Sequence, residues 1–271
     1  MSKNMTKYLY EKTILNKIRG KIKKKYIFLF LDYDGTLAEF HHNPDKAKPL
    51  RGIKKTLKKI NNISAITTTI ISGRSYSSLK NLIDIKNINY ATTHGLEIRF
   101  DKQKKINIIE EDSIPYNTIK KVKEYLQKYK RDTNDTKIED KKNTIAFHYS
   151  SNFDEKKLIK EIEKIIEGSK LEIIQGRKVI EIRPVYWNKG KTVKEIIKII
   201  SKEKEIKKGN YISIYIGDDR TDEDAFAALS GINIYVKNKD NLETKADYYL
   251  KNPLEVKKFL KILYCWQKDN H

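Results

Sequence analysis

The sequence predicts an α/β protein, a parallel-sheet core interrupted by a smaller inserted α+β module. Two patterns carry this expectation. Short apolar runs alternate with helical patterns from Tyr26 to about Phe100 and again after Pro184, the signature of βαβ units. Between them the order becomes helix, strand, strand and then repeats, which marks a separate antiparallel module.

In chain order, "MSKNMTKYLYEKTILNKIRGKIKKK" comes first. Leu9, Ile14, Leu15, Ile18 and Ile22 recur at helical intervals, predicting an N-terminal amphipathic helix over residues 1–24, laid on the fold or on a partner. "YIFLFLD" reads as a buried strand, Pro49 to Asn61 as a helix, "ISAITTTIIS" as a strand, the segment from Ser75 as a helix, and "INYATTHGLEIRF" as strand-forming. The module follows: a helix over Ile114 to Tyr129, strands "TKIED" and "TIAFHYS", a helix over Phe153 to Glu167, and strands "LEIIQG" and "RKVIEIRP". Hairpin turns are expected near Lys141 to Asn143 and at Gly176. A helix from Asn188, the strand "YISIYIG", a helix from Thr221, the strand "INIYV" and a helix from Pro253 complete the chain. The expected boundaries are therefore a core over 25–100 and 184–271 and an insert over 101–183.

Composition narrows the function classes. Lys and Arg outnumber Asp and Glu by 57 to 36, a net charge of +21. Lysine dominates and is spread along every segment, so the charge reads as a solvated surface rather than a nucleic-acid site. The single cysteine, Cys265, forms no internal disulfide, and no stretch has the length of a membrane span, so a cytoplasmic protein without membrane or nucleic-acid partners is expected, with a monomer as the working expectation. His41 and His42 lack a partner at metal-ligand spacing and read as loop residues.

The chemistry sits at strand ends. "YIFLFLDYDGT" ends a buried strand in Asp32 and Asp34, and "YISIYIGDDRTDEDAF" ends another in Asp218, Asp219, Asp222, Glu223 and Asp224. An isolated D-x-D would read as a turn, but adjacent acid clusters repel unless a cation lies between them, and hard oxygen ligands suit Mg²⁺. "IISGR" places Ser72 at a third strand end, where its hydroxyl and nearby amides can hold a phosphoryl oxygen, and "WNKGKT" places Lys189 at a helix start. Taken singly these are an N-cap and a surface lysine. In the order D-x-D-G-T, S-G-R, N-K-G, G-D-D-x-x-D-E-D they are a poor coincidence.

These motifs together resemble the haloacid dehalogenase (HAD) superfamily of aspartyl-phosphate phosphatases, with an inserted cap of the C2 type. More narrowly, "LDYDGTLAEF", "IISGR", "THGLEI", "VIEIRPVYWNKG" and "IGDDRTDEDAF" resemble the trehalose-6-phosphate phosphatases. The resemblance implies a HAD-like Rossmannoid core with a parallel sheet plus an α+β cap, and Mg²⁺-dependent hydrolysis of a small-molecule sugar phosphate. It implies Asp32 as nucleophile, Asp34 as general acid and base, and Ser72 and Lys189 beside the phosphoryl group. Mg²⁺ would be bound by Asp32, the Asp34 carbonyl and Asp218, with Asp219 or Asp222 holding its waters. Arg74, His94, Gly95, Glu97 and Asn188 would line the substrate from the core, and Arg177, Lys178, Glu181 and Arg183 on the last cap hairpin would read the sugar. Alternation puts Glu181 and Arg183 on one face, where an ion pair holding the hairpin is the plainer reading. Ser150 departs from the family, which often carries arginine after "HY". Other substrates in view are sucrose or glucosylglycerol phosphate. From another class comes a catalytically silent regulatory or polyanion-binding protein, which would be expected to lose Asp32, Asp34 or Lys189.

Overall fold

The computed structural model describes residues 6–41, 44–100, 105–107, 114–131, 136–141, 143–149, 154–176, 178–185, 187–238 and 243–268. Arg177, Ser150 and His42 lie outside them. The chain forms two compact units, Met1–Ile106 with Asn188–His271, and Asn107–Trp187.

In chain order the first unit begins with β1 (Lys7–Tyr8), α1 (Lys12–Ile22), β2 (Tyr26–Asp32), α2 (Ile53–Asn61), β3 (Ile66–Ile71), α3 (Tyr76–Leu82), β4 (Asn89–Thr92), β5 (Glu97–Arg99) and β6 (Lys105–Asn107). The second unit holds α4 (Tyr116–Arg131), β7 (Lys137–Asp140), β8 (Ile145–His148), α5 (Glu155–Ile166), β9 (Leu171–Gly176) and β10 (Val179–Pro184). The first unit resumes with α6 (Lys189–Glu203), β11 (Tyr211–Gly217), α7 (Glu223–Ala228), β12 (Ile232–Val236), β13 (Tyr248–Leu250) and α8 (Pro253–Lys268).

The large sheet runs β1-β13-β12-β11-β2-β3-β4-β5-β6. Pairing from β1 through to β4 is parallel, and β4 with β5 is antiparallel. Both faces of a parallel sheet are covered, which explains why β2 is apolar at successive positions rather than alternating. Ile27, Leu29 and Leu31 face a core shared with Ile14, Ile18 and Ile22 of α1, Leu57 of α2 and Phe259 of α8. On β2 the intervening Phe28 and Phe30 stack on each other, Phe30 on Tyr215, and Tyr215 meets Phe226 edge-on.

Two elements differ from the sequence expectation. The N-terminal segment is not one helix over 1–24: β1 first joins the sheet edge alongside β13, and the helix starts at Lys12. Leu9 is buried but lies between these elements. "INYATTHGLEIRF" is a β4–β5 hairpin around a 3₁₀ turn at Thr93–Gly95, because Thr93 and His94 take positive φ and reverse the chain. In the second unit the sheet β7-β8-β10-β9 is antiparallel throughout. Ile180 and Ile182 of β10 are fully buried, so Glu181 and Arg183 share the opposite face.

Candidate active site

Strand β2 lies between β3 and β11, so the carboxyl ends of these parallel neighbours converge at the centre of the sheet. Open α/β sheets bind ligands at such ends. Register does the placing: Leu31 is opposite Ile216 and Asp32 opposite Ile71, which brings Asp32, Ser72 and Asp218 to one edge.

Lys189, only 2% exposed, is the electrostatic centre. From the first turn of α6 its Nζ donates to Asp32 Oδ1 and to Asp222 Oδ1, both at 2.7 Å. Burial alone would lower the pKa of this ammonium, but Asp222 and Asp32 outweigh it and the net shift is upward. Asp222 is fully engaged. Its Oδ1 also accepts from Tyr215 Oη at 2.7 Å, and its Oδ2 accepts the amides of Asp218 at 3.0 Å and Asp219 at 2.9 Å. The result is a tight turn after β11 that aims Asp218 back at Asp32. Asn238, just past β12, supports this turn by donating to the Asp218 carbonyl at 2.6 Å.

The carboxylates outnumber the ammonium. Asp32 is pushed well up by burial, opposed by Lys189 and reinforced by Asp222 and Asp34. Asp218 is pushed well up by burial, then by Asp32, Asp222 and Asp219, with Asn238 opposing. Asp219 rises too, chiefly by burial and Asp222. Carboxylate atoms of Asp32, Asp218 and Asp222 lie within 4.8 Å of one another, and Asp218 Oδ1 is buried without a hydrogen-bond partner. An orphaned buried acceptor amid excess negative charge fits a hard cation.

The remaining sequence-predicted residues fall into distinct places. Asp34, beyond the β2 end, is gripped by Arg74, with Nε to Oδ2 at 2.7 Å and Nη2 to Oδ1 at 2.6 Å. Ser72 is buried and its Oγ accepts the Arg74 amide at 3.2 Å. His94 lies on the strained turn with its ring against Gly73, and its carbonyl accepts from Thr192 Oγ1 at 3.2 Å. A Cβ at Gly95 would lie 1.8 Å from that same hydroxyl, so this glycine lets the turn approach α6. Glu97 pairs with Arg99 at 2.5 Å, and Asn188 caps α6 by accepting the Lys191 amide at 2.9 Å.

In the second unit, Glu181 accepts from Lys141 Nζ at 3.2 Å and Thr144 Oγ1 at 3.1 Å, and Arg183 pairs with Glu172 at 2.8 Å. Each therefore has a partner on a neighbouring segment. Lys178 takes a positive φ at the tip of the β9–β10 hairpin. His148 pairs with Glu139 at 3.3 Å.

Tyr215, Asn238 and Lys141 were missed from the sequence. Asn238 follows an apolar strand, so the strand-end rule that found the aspartates reaches it as well. For Tyr215 and Lys141 no local signal exists: a tyrosine inside an apolar strand reads as core, and Lys141 meets Glu181 only through the pairing of the sheet.

This sheet order with acid-tipped central strands is a fold found among haloacid dehalogenase-like hydrolases. One such protein, from B. subtilis, shares the fold at a TM-score of 0.62 and 14% identity, over 87% of this chain and 99% of that one. The chain belongs to the trehalose-phosphatase family, whose family model, described as "Trehalose-phosphatase", matches residues 30–253. Trehalose-phosphate phosphatase B of Arabidopsis thaliana is 32% identical over 271 aligned residues, covering 94% of this chain and 71% of that protein. The C-terminal domain of C. albicans trehalose-6-phosphate phosphatase superposes with a TM-score of 0.83 at 25% identity, covering 96% of this chain and 99% of the other.

Proposed function

We propose that this protein hydrolyses trehalose 6-phosphate to trehalose and phosphate through an aspartyl-phosphate on Asp32. The observation that carries the reading is the buried Asp32–Lys189–Asp222 bridge beside the orphaned Asp218 oxygen. Membership of the trehalose-phosphatase family supports the substrate.

The residues divide the work. Asp32 attacks phosphorus, forming a P–O bond as the sugar oxygen departs, and Asp34 gives that oxygen its proton. Asp34 then takes a proton from water, whose oxygen attacks phosphorus and releases Asp32 and inorganic phosphate. Splitting the hydrolysis this way replaces one difficult step by two easier ones, and proton transfer from a positioned group is worth about 10²–10⁴ in rate. Lys189 holds Asp32 in one rotamer and offsets its charge, while the Ser72 hydroxyl, which accepts the Arg74 amide, keeps its own hydrogen to donate to a phosphoryl oxygen. Asp32, the Asp34 carbonyl and Asp218 would hold Mg²⁺, with Asp219 beside its waters. Bound there, the ion supplies charge neutralisation between carboxylate and phosphoryl group. Asp222 spends its oxygens on Lys189, Tyr215 and two amides, so it serves by shaping the site. The charged face of the second unit, with Glu181 and Arg183, supplies recognition of sugar hydroxyls.

A phosphate-release panel of sugar phosphates with Mg²⁺ tests the reading. Trehalose 6-phosphate should be the best substrate, EDTA should silence the enzyme until Mg²⁺ returns, and Asp32→Asn should abolish turnover in a folded protein. Full activity in chelator sinks the metal site. Activity of Asp32→Asn within about tenfold of wild type removes the covalent mechanism. Preference for sucrose or glucosylglycerol phosphate removes the substrate and leaves the chemistry.

A further inference from the structure

Arg74 binds the wrong partner for a residue that reads substrate. Its Nε and Nη2 are both spent on the two oxygens of Asp34, at 2.7 and 2.6 Å, and Nη1 donates to Ser78 Oγ at 3.4 Å. The guanidinium is buried, 7% exposed in the side chain against 34% for Asp34, and lies 5.3 Å from the centre of the Tyr33 ring. Its backbone is equally fixed: the amide donates to Ser72 Oγ, and the carbonyl accepts from the Thr93 amide at 2.9 Å. A rigid fork thus grips a partly exposed carboxylate.

We propose that Arg74 is the positioning residue for the proton-transfer step, fixing Asp34 so that the remaining lone pair on each oxygen is presented to the reacting groups. This inference rests on the phosphatase reading above. Two parallel charge-assisted bonds fix both the rotamer and the plane of a carboxylate, which a lysine at this position cannot do. Without the fork, Asp34 would sample other rotamers, and misplacement of a reacting group by about 1 Å costs on the order of 10²-fold in rate. About a third of the Asp34 side chain is exposed, so burial alone does not hold its rotamer.

A double-mutant cycle tests this, using the best sugar phosphate of the panel. Arg74→Gln should lower kcat about tenfold or more with KM little changed, because an interaction felt in the transition state is lost. In an Asp34→Asn background the same change should cost less than about twofold, since a residue acting only through its neighbour is silent once that neighbour is disabled. Arg74→Lys should recover little of the loss, and it carries the same cycle if Arg74→Gln does not fold. With p-nitrophenyl phosphate, whose leaving group needs no proton, the first burst of nitrophenolate in Arg74→Gln should stay within about threefold of wild type while later turnover slows. Losses that multiply in the double mutant, a raised KM at unchanged kcat, or full activity in Arg74→Lys would each overturn the inference and leave the phosphatase reading standing. A wild type that releases phosphate from no monoester removes both.

Discussion

At Gly35 the backbone sits at φ +74°, and a Cβ there would lie 2.0 Å from Asp218 Oδ2. One hydrogen atom thus lets the turn after β2 meet the turn after β11. Gly35→Ala should weaken Mg²⁺ binding by about tenfold or more, on top of a backbone cost of about 1–2 kcal/mol for a left-handed alanine. Gly52→Ala is the control, for φ is +90° there and nothing lies within 4 Å. Titration calorimetry on both variants separates the effects: equal Mg²⁺ affinities would show that the contact with Asp218 is irrelevant. The strand-end positions of Asp32, Ser72 and Asp218 were legible because each follows a run rich in β-branched and aromatic residues that reads as a buried strand. The partner of Arg74 was not, since it lies 40 residues away and depends on β3 pairing with β2.

Elements were legible where periodicity was strong. β9 and β12 span the stretches "LEIIQG" and "INIYV" that the sequence predicts as strands, and α2 buries Ile53, Leu57 and Ile60 at helical spacing. The N-terminal segment was read too simply, because a two-residue edge strand has no periodicity of its own. Its attachment is specific nonetheless: Tyr8 Oη donates to Glu255 Oε1 at 2.6 Å, and Tyr10 Oη to the Glu255 carbonyl at 2.7 Å. α1 then buries Ile14, Ile18 and Ile22 against the same core as β2. Truncating a buried isoleucine costs about 2–5 kcal/mol, so Ile18→Ala should lower Tm by about 5–15 °C with kcat near wild type. Calorimetry with a parallel phosphate assay checks it. An unchanged Tm would mean that α1 does not rest on the sheet in solution.

At the scale of the whole chain, the two units divide two problems. On the proposed reading the first gathers the phosphoryl chemistry, which is indifferent to what the phosphate is attached to, and selectivity would then fall to the second. Its element order was legible as a repeated helix-strand-strand unit, but the pairing of its charges was not, because Lys141 reaches Glu181 across β8. If the charged sheet face reads a disaccharide, kcat/KM for trehalose 6-phosphate should exceed that for glucose 6-phosphate by orders of magnitude. Each buried polar group left unpaired by the missing ring costs about 1–3 kcal/mol. The loss should fall on kcat as well as KM, since remote binding energy is what drives the reacting centre. Glu181 is the residue to change, and glutamine is the change to make. Alanine would strip Lys141 of its buried partner, which costs about 3–5 kcal/mol and confuses recognition with stability. Glu181→Gln keeps an oxygen for Lys141 and Thr144 while removing the charge. It should lower kcat/KM for trehalose 6-phosphate about tenfold or more and leave p-nitrophenyl phosphate within about twofold, because the small substrate needs only the first unit. Equal losses on both substrates, accompanied by a lower Tm, would assign Glu181 to holding its sheet together and would move the reading of the sugar to other residues.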